Sequence, residues 1–148
     1  MTSAGKEIAE LFFYLEEYEV ENLATYFSFG QVKAGEILWK EGDPCEALAF
    51  IVSGKIRLSK QTEFKGKEVV IGVFGPGSMA GELSILDGSP QATSAIALED
   101  TVLLRLSKGS FGRILQESPE LGMRLLKSML LSVSARLKHA LGRLAAIF

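Results

Sequence analysis

GPGSMAGELSILDGSPQAT, residues 75–93, is the stretch that decides how this chain folds and where a ligand site would lie. It begins with a Gly-rich turn, continues through a short helical segment at residues 81–86, and turns again at residues 87–90. The start of a helix leaves backbone N–H groups without intrahelical partners, and these groups can hold an anion. The carboxylate of Glu82 only accepts hydrogen bonds, which suits sugar hydroxyls and not a phosphate. The stretch therefore predicts a pocket for a sugar-phosphate.

Short β-type segments separated by Gly and Pro turns lie on both sides of this stretch. Many short strands broken in this way are typical of a β-sandwich or roll. Ser53-Gly54 and Gly42-Asp43-Pro44 supply two of the turns. The predicted strands are Ile37–Trp39, Leu48–Val52, Lys55–Ser59, Val69–Phe74, Ala92–Ala97 and Val102–Leu106.

Helices are predicted at both ends of the chain. Residues 5–27 are expected to be helical, with Val20–Phe27 as a second short helical turn. A short helix is expected over Ser110–Gln116, and a long one from Pro119 to the last residue, on the order of 40 Å in length. The apolar face of the first helix consists of Ile8, Leu11, Phe12 and Leu15.

Four motifs in this order resemble the cyclic nucleotide-binding domain family, in particular its catabolite activator-like branch. They are KAGEIL at residues 33–38, Glu41-Gly42-Asp43, FIVSGKIRL at 50–58 and the Gly-Pro-Gly turn at 75–77, and the Gly-Glu-Leu of the cassette follows them at 81–83. The resemblance covers residues 28–147 and implies a mainly β, α+β fold. That fold is a double-stranded β-helix (jelly roll) sandwich with N-terminal helices and a long C-terminal dimerisation helix. The expected organisation is one domain over 1–148, with N-terminal helices at 1–27, a β-roll at 28–107 containing a phosphate-binding cassette at 75–93, and C-terminal helices at 108–148.

The resemblance also assigns the ligand site. In the family, the Glu of Gly-Glu-Leu binds the ribose 2′-hydroxyl, and an Arg further along the cassette pairs with the cyclic phosphate. Gln91 occupies that Arg position here, and its neutral amide should weaken phosphate binding by roughly one to two orders of magnitude. The ligand is then a weakly bound cyclic nucleotide (cAMP or cGMP) or a less anionic molecule, or the pocket is vestigial. The predicted ligand-binding residues are Gly81, Glu82, Leu83, Ser84, Gln91, Ala92, Thr93 and Arg136.

Arg136 and Leu137 on the long helix match a Thr-Ser pair that contacts adenine in the catabolite activator-like branch. Two roles are open for Arg136, because a guanidinium can stack on a purine or remain a solvated helix charge. Apolar residues along this helix alternate steps of three and four, the spacing of a coiled-coil seam. The seam either docks on the chain's own sheet or, as we expect and as many bacterial members of the family do, joins two subunits. The predicted dimer interface is Met123, Leu126, Leu130, Val133, Leu137, Ala140 and Leu144.

Composition narrows the function classes. The chain has 148 residues, a net charge of −2, one Cys (Cys45) and one His (His139), so it lacks the ligands for a His-rich metal centre and offers no general attraction to nucleic acid. We expect no enzyme activity, no bound cofactor or metal, and no membrane association, because the early apolar segment is short. We expect a cytoplasmic location because no secretory signal is visible. We expect no direct DNA binding, because the sequence stops at Phe148 without a recognition helix.

Two functional hypotheses follow. The first is a stand-alone, dimeric regulatory module that senses a nucleotide-like ligand and signals through its C-terminal helix to a downstream protein. The second is a ligand-free dimeric interaction scaffold on the same fold, or the sensor half of a truncated transcription regulator.

Overall fold

The structure is a computed structural model, and it describes residues 5, 6, 8, 9 and 16–147. The first four of these residues are helical. The elements that follow in chain order are α1 (Glu17–Ala24), β1 (Phe27–Val32), β2 (Ile37–Trp39), β3 (Ala47–Ser53), β4 (Ile56–Gln61), β5 (Glu68–Phe74), β6 (Met79–Ala80), α2 (Glu82–Asp87), β7 (Ser94–Ala97), β8 (Thr101–Ser107), α3 (Lys108–Glu117) and α4 (Pro119–Ile147).

The strands form two four-stranded antiparallel sheets. One sheet has the order β1-β8-β3-β6 and the other has the order β2-β7-β4-β5. Strands β1 and β8 pair over six residues, from Phe27 opposite Leu106 to Val32 opposite Thr101. The predicted fold class, a mainly β jelly roll with a long C-terminal helix, is confirmed.

Strand β3 is buried on both faces, and this places an apolar cluster on each side of its sheet. Leu48 and Phe50 pack with the helices, while Ala49 and Ile51 alternate with them and pack with residues of the second sheet. Side chains on the helical side include Val20, Leu23, Ile114, Leu125 and Met129. The first sheet therefore separates a helix-covered core from the interior of the roll.

Helix α4 contacts the core only through its first half. Its buried residues are Leu121, Gly122, Leu125 and Met129, which recur at helical spacing. No residue between 130 and 147 is buried. The second half of the helix therefore extends along the roll with its apolar residues partly or largely exposed.

The predicted strands agree with the observed ones apart from their ends, but two strands were not predicted. These are β1 and the two-residue β6. The prediction of helix up to residue 27 is wrong at its end, because α1 ends at Ala24 and Phe27 opens β1. Phe27 pairs with Leu106 of β8, far away in the sequence, and no local pattern reveals this pairing. The predicted face residues Leu11, Phe12 and Leu15 lie outside the described residues.

Candidate functional site

The turn before α2 directs the chain into the site. Gly81 has a φ of 90°, a left-handed conformation that residues with a Cβ rarely adopt. A Cβ at this position would also lie 3.1 Å from the carbonyl oxygen of Ala47. The left-handed turn at Gly81 lets the helix begin at once, and the Glu82 side chain becomes buried beneath it.

The loop after α2 is held by its neighbours in the roll. The backbone N–H of Gln91 donates to the carbonyl of Asp43 at 2.8 Å, and the N–H of Gly42 donates to the carbonyl of Gln91 at 2.9 Å. The Nζ of Lys60, on β4, donates to the carbonyl of Ala92 at 3.2 Å. These contacts fix the direction in which the residues at 91–93 face the pocket.

The cassette and helix α4 line a cavity of about 270 Å³ that is open to solvent. This volume is close to the lower end of the range typical of small-molecule sites, about 300–1,000 Å³. Glu82 and Gln91 share the cavity, as the sequence prediction required. Direct ligand contact remains a prediction for each lining residue. All eight predicted residues line the cavity: Gly81, Glu82, Leu83, Ser84, Gln91, Ala92, Thr93 and Arg136.

Glu82 is the buried carboxylate of the pocket, with 1% of its side chain exposed. Its Oε1 accepts a hydrogen bond from Arg136, whereas its Oε2 is buried without a hydrogen-bond partner. Burial raises the pKa of the Glu82 carboxyl, and the charge of Arg136 opposes that shift. An unpaired buried acceptor costs about 1–3 kcal/mol, so a ligand that donates a hydrogen bond to Oε2 would be favoured there.

Arg136 ties the long helix to the roll at three points. Its Nη1 donates to Glu82 and its Nη2 donates to the carbonyl of Met79. Its Cζ lies 4.5 Å from the centroid of the Phe74 ring, a cation–π distance. A quarter of the side chain is exposed. The solvated-charge alternative for Arg136 is therefore wrong, and Phe74 occupies one face of the guanidinium.

Gln91 lies in the wall between two cavities. It lines the cassette pocket and also a second cavity of about 320 Å³ bordered by Trp39 and Arg105. Its side chain is buried, and its Nε2 lies 3.7 Å from where a Cβ on Gly81 would be. The position is the one expected from the resemblance, but the group there carries no charge.

The structure adds an apolar wall that the sequence did not assign to the pocket. Leu58 and Ile71 come from the roll, and Val133, Leu137 and Ala140 come from α4. The heptad spacing had identified the last three as dimer-interface residues, and of these only Leu137 was also matched to a position that contacts the ligand in the family.

The other predicted dimer-interface residues divide into two groups. Met123, Leu130 and Leu144 are exposed, whereas Leu126 packs partly on the chain's own core. The dimer itself remains a prediction.

The described residues offer neither a metal centre nor a membrane-spanning helix. No group of three or more His, Cys, Asp and Glu side chains is placed there to hold a metal ion. In the same part of the chain, no helix is both long and apolar enough to cross a membrane.

Residues 29–118, more than half of the chain, match a family model described as the cyclic nucleotide-binding domain. The cyclic AMP receptor protein of Thermus thermophilus is 35% identical over 109 residues, which are 74% of this chain and 50% of that protein. A crystal structure of a cyclic nucleotide-binding domain from Methylobacillus flagellatus has a TM-score of 0.91 at 27% identity, and the match covers 97% of this chain and 84% of that chain.

The similarity extends to much longer proteins. Lysophospholipase NTE1 of Phaeosphaeria nodorum is 32% identical over 108 residues, but the match covers only 7% of that protein. This chain therefore spans half of the Thermus relative and a small fraction of the lysophospholipase. The match to such a small part says nothing about catalysis in this chain.

Proposed function

This chain belongs to the cyclic nucleotide-binding domain family, and we propose that it is a regulatory module that binds a cyclic nucleotide or a related nucleotide-like ligand in the cassette pocket. The observation that carries the proposal is the buried, unpartnered Oε2 of Glu82. A ribose hydroxyl is a donor of the kind that this acceptor lacks. The Thermus relative, whose match covers 74% of this chain, is named as a cyclic AMP receptor.

The pocket has two chemically different parts that suit the two parts of a nucleotide. Glu82, Gln91 and Thr93 provide hydrogen-bonding groups for the sugar and phosphate. Leu58 and Val133 belong to the apolar wall, which suits the faces of a base. In this proposal Glu82 holds a sugar hydroxyl, while Gln91 and nearby backbone N–H groups face the phosphate or its substitute.

Helix α4 would report the ligand. It supplies one wall of the pocket and, beyond Met129, contributes no buried residue. A ligand that binds one position of this segment better than another shifts the population toward that position. We propose that a homodimer formed through the heptad seam, or a downstream protein, detects the shift.

A ligand-free interaction scaffold is the second candidate, and two observations favour it. Gln91 lacks the charge that grips a phosphate, and Glu82 already has an internal partner in Arg136. A third candidate, the sensor half of a transcription regulator, rests on the fact that this chain matches only half of the Thermus relative.

Thermal melting separates the first candidate from the scaffold. The purified chain would be melted alone and with millimolar cAMP, cGMP or ATP. Specific binding should raise the Tm, since ligand at 100 times its Kd stabilises the folded state by about 2.7 kcal/mol. The Glu82→Gln variant is the control and should show a smaller shift. A Tm unchanged by every nucleotide would contradict the proposed function and support the scaffold.

A further inference from the structure

One basic and one acidic side chain lie together in the cassette pocket. Among the described residues that line it, Arg136 is the cation and Glu82 is the carboxylate. The family resemblance places the phosphate-binding cation on the cassette loop, but that position holds Gln91. The positive charge of this pocket therefore comes from helix α4.

We propose that Arg136 receives the anionic group of the ligand, in place of an arginine at position 91. The inference rests on the proposed function, since it concerns the ligand of the same pocket. A guanidinium has five N–H donors, and the structure shows two of them in hydrogen bonds, to Glu82 and to Met79. The planar, permanently charged group has donors to spare for a phosphate oxygen.

Partial burial makes this arginine suited to the role. With a quarter of its side chain exposed, Arg136 is reachable from the cavity and only weakly screened by water. Phe74 and the Met79 carbonyl hold the guanidinium in place, so little side-chain freedom is lost on binding. An arriving phosphate would be repelled by the Glu82 carboxylate. A ligand hydroxyl donating to the unpartnered Oε2 offsets that repulsion. The ligand class is therefore an anion that also carries a hydroxyl group within reach of Glu82.

Moving the charge between the two positions tests the inference. Affinities for cAMP and for adenosine, which has the same base and sugar but no phosphate, would be measured by calorimetry at one ionic strength. The native chain should prefer cAMP by roughly 10- to 100-fold, the strength of hydrogen bonds to a charged group. Arg136→Gln should bring the ratio of cAMP affinity to adenosine affinity close to one. The double variant Gln91→Arg/Arg136→Gln should restore the native preference for cAMP. Arg136→Lys should keep part of it, because the charge remains.

Arg124→Gln is the matched control. Arg124 lies on the same helix and forms a 2.5 Å ion pair with Glu19, outside the pocket. Its loss should leave the preference for cAMP unchanged. The inference is wrong if Arg136→Gln keeps the native preference for cAMP. It is also wrong if this variant lowers the affinities for cAMP and adenosine equally and the double variant does not recover them. In both cases Arg136 only positions Glu82. If the native chain binds neither ligand, the proposed function fails together with the inference.

Discussion

Glu82 is a carboxyl group whose folded environment disfavours its charge, and this makes stability depend on pH. Burial raises its pKa above the ordinary value of 4.5, so the folded chain binds this proton more tightly than the unfolded chain. The stabilisation that this proton provides is fully present below pH 4.5, and it is lost as the pH rises through the pKa of the folded chain. Glutamine does not titrate, so only the native chain loses this stabilisation. We therefore expect the free energy of unfolding of Glu82→Gln minus that of the native chain to increase between pH 4.5 and 7.5.

Urea unfolding at pH values from about 3 to 7.5 would measure the effect and would also cover the range below 4.5 in which a carboxyl of lowered pKa titrates. Glu117→Gln is a control of opposite sign. The hydrogen bond from Tyr26 lowers the pKa of Glu117, so its stabilisation is present above 4.5 and is lost as the pH falls. A Glu82→Gln effect that is the same at every pH would show that the buried carboxyl does not take up a proton in this range.

A tight turn between β3 and β4 provides a second prediction for a single residue. Gly54 has a φ of 96°, and a Cβ there would lie 2.6 Å from the carbonyl oxygen of Asp100. Gly77 has a φ of 89° with open space around it. We expect Gly77→Ala to cost about 1–2 kcal/mol through backbone strain alone, and Gly54→Ala about 2–5 kcal/mol because steric overlap is added. Equal costs in chemical denaturation would contradict the overlap.

For single residues, the sequence predicted which of them lie at the pocket better than it predicted which side chains contact each other. Gly81, Glu82 and Gln91 line one pocket, and the sequence could place them together because cassette residues are close in the chain and have a recognisable pattern. The Arg136 pair with Glu82 was not found, since the two residues are 54 positions apart and only the folded roll brings them together. Charge alone did not distinguish Arg136 from the other basic residues of the helix.

Among the elements, α4 has two halves with different partners. Met129 is fully buried in the helix-covered core, whereas Leu131, two residues on, is 62% exposed. We expect Met129→Ala to cost about 2–5 kcal/mol, because it leaves a cavity in packed surroundings. Leu131→Ala should change the free energy of unfolding by no more than about 0.5 kcal/mol. Similar losses for both variants in urea unfolding would mean that the core extends further along the helix.

The type of an element, helix or strand, was predictable where its apolar residues have a clear spacing. Its boundaries were predictable where Gly or Pro marks the adjoining turns. Strand β2 was predicted with its observed ends, because Gly35 and Gly42 bracket it. Strand β1 was missed because its residues, FSFGQV, contain a glycine and little apolar alternation. Its pairing with β8 supplies the hydrogen bonds that a local reading cannot see.

For the whole molecule, we predict that two chains join through the heptad seam of α4. Leu130 and Leu131 are adjacent and similarly exposed, at 68% and 62%, but only Leu130 lies on the heptad seam. We expect Leu130→Lys to convert a dimer to monomers, because it buries a charge in the seam, while Leu131→Lys remains dimeric. Light scattering after size-exclusion chromatography measures both masses. A dimeric Leu130→Lys variant, or a native chain that is monomeric, would refute the seam.

The most direct test of the binding claim is a backbone amide NMR titration of the native chain with cAMP and with cGMP. The proposed function predicts saturable shifts at residues 81–84 and 91–93 and along α4 around Arg136, with smaller effects on the far side of the roll. Spectra unchanged at millimolar nucleotide would contradict the claim. So would shifts confined to the groove that β5 and α4 form beside the cassette, where Val73, Leu131 and His139 are among the lining residues.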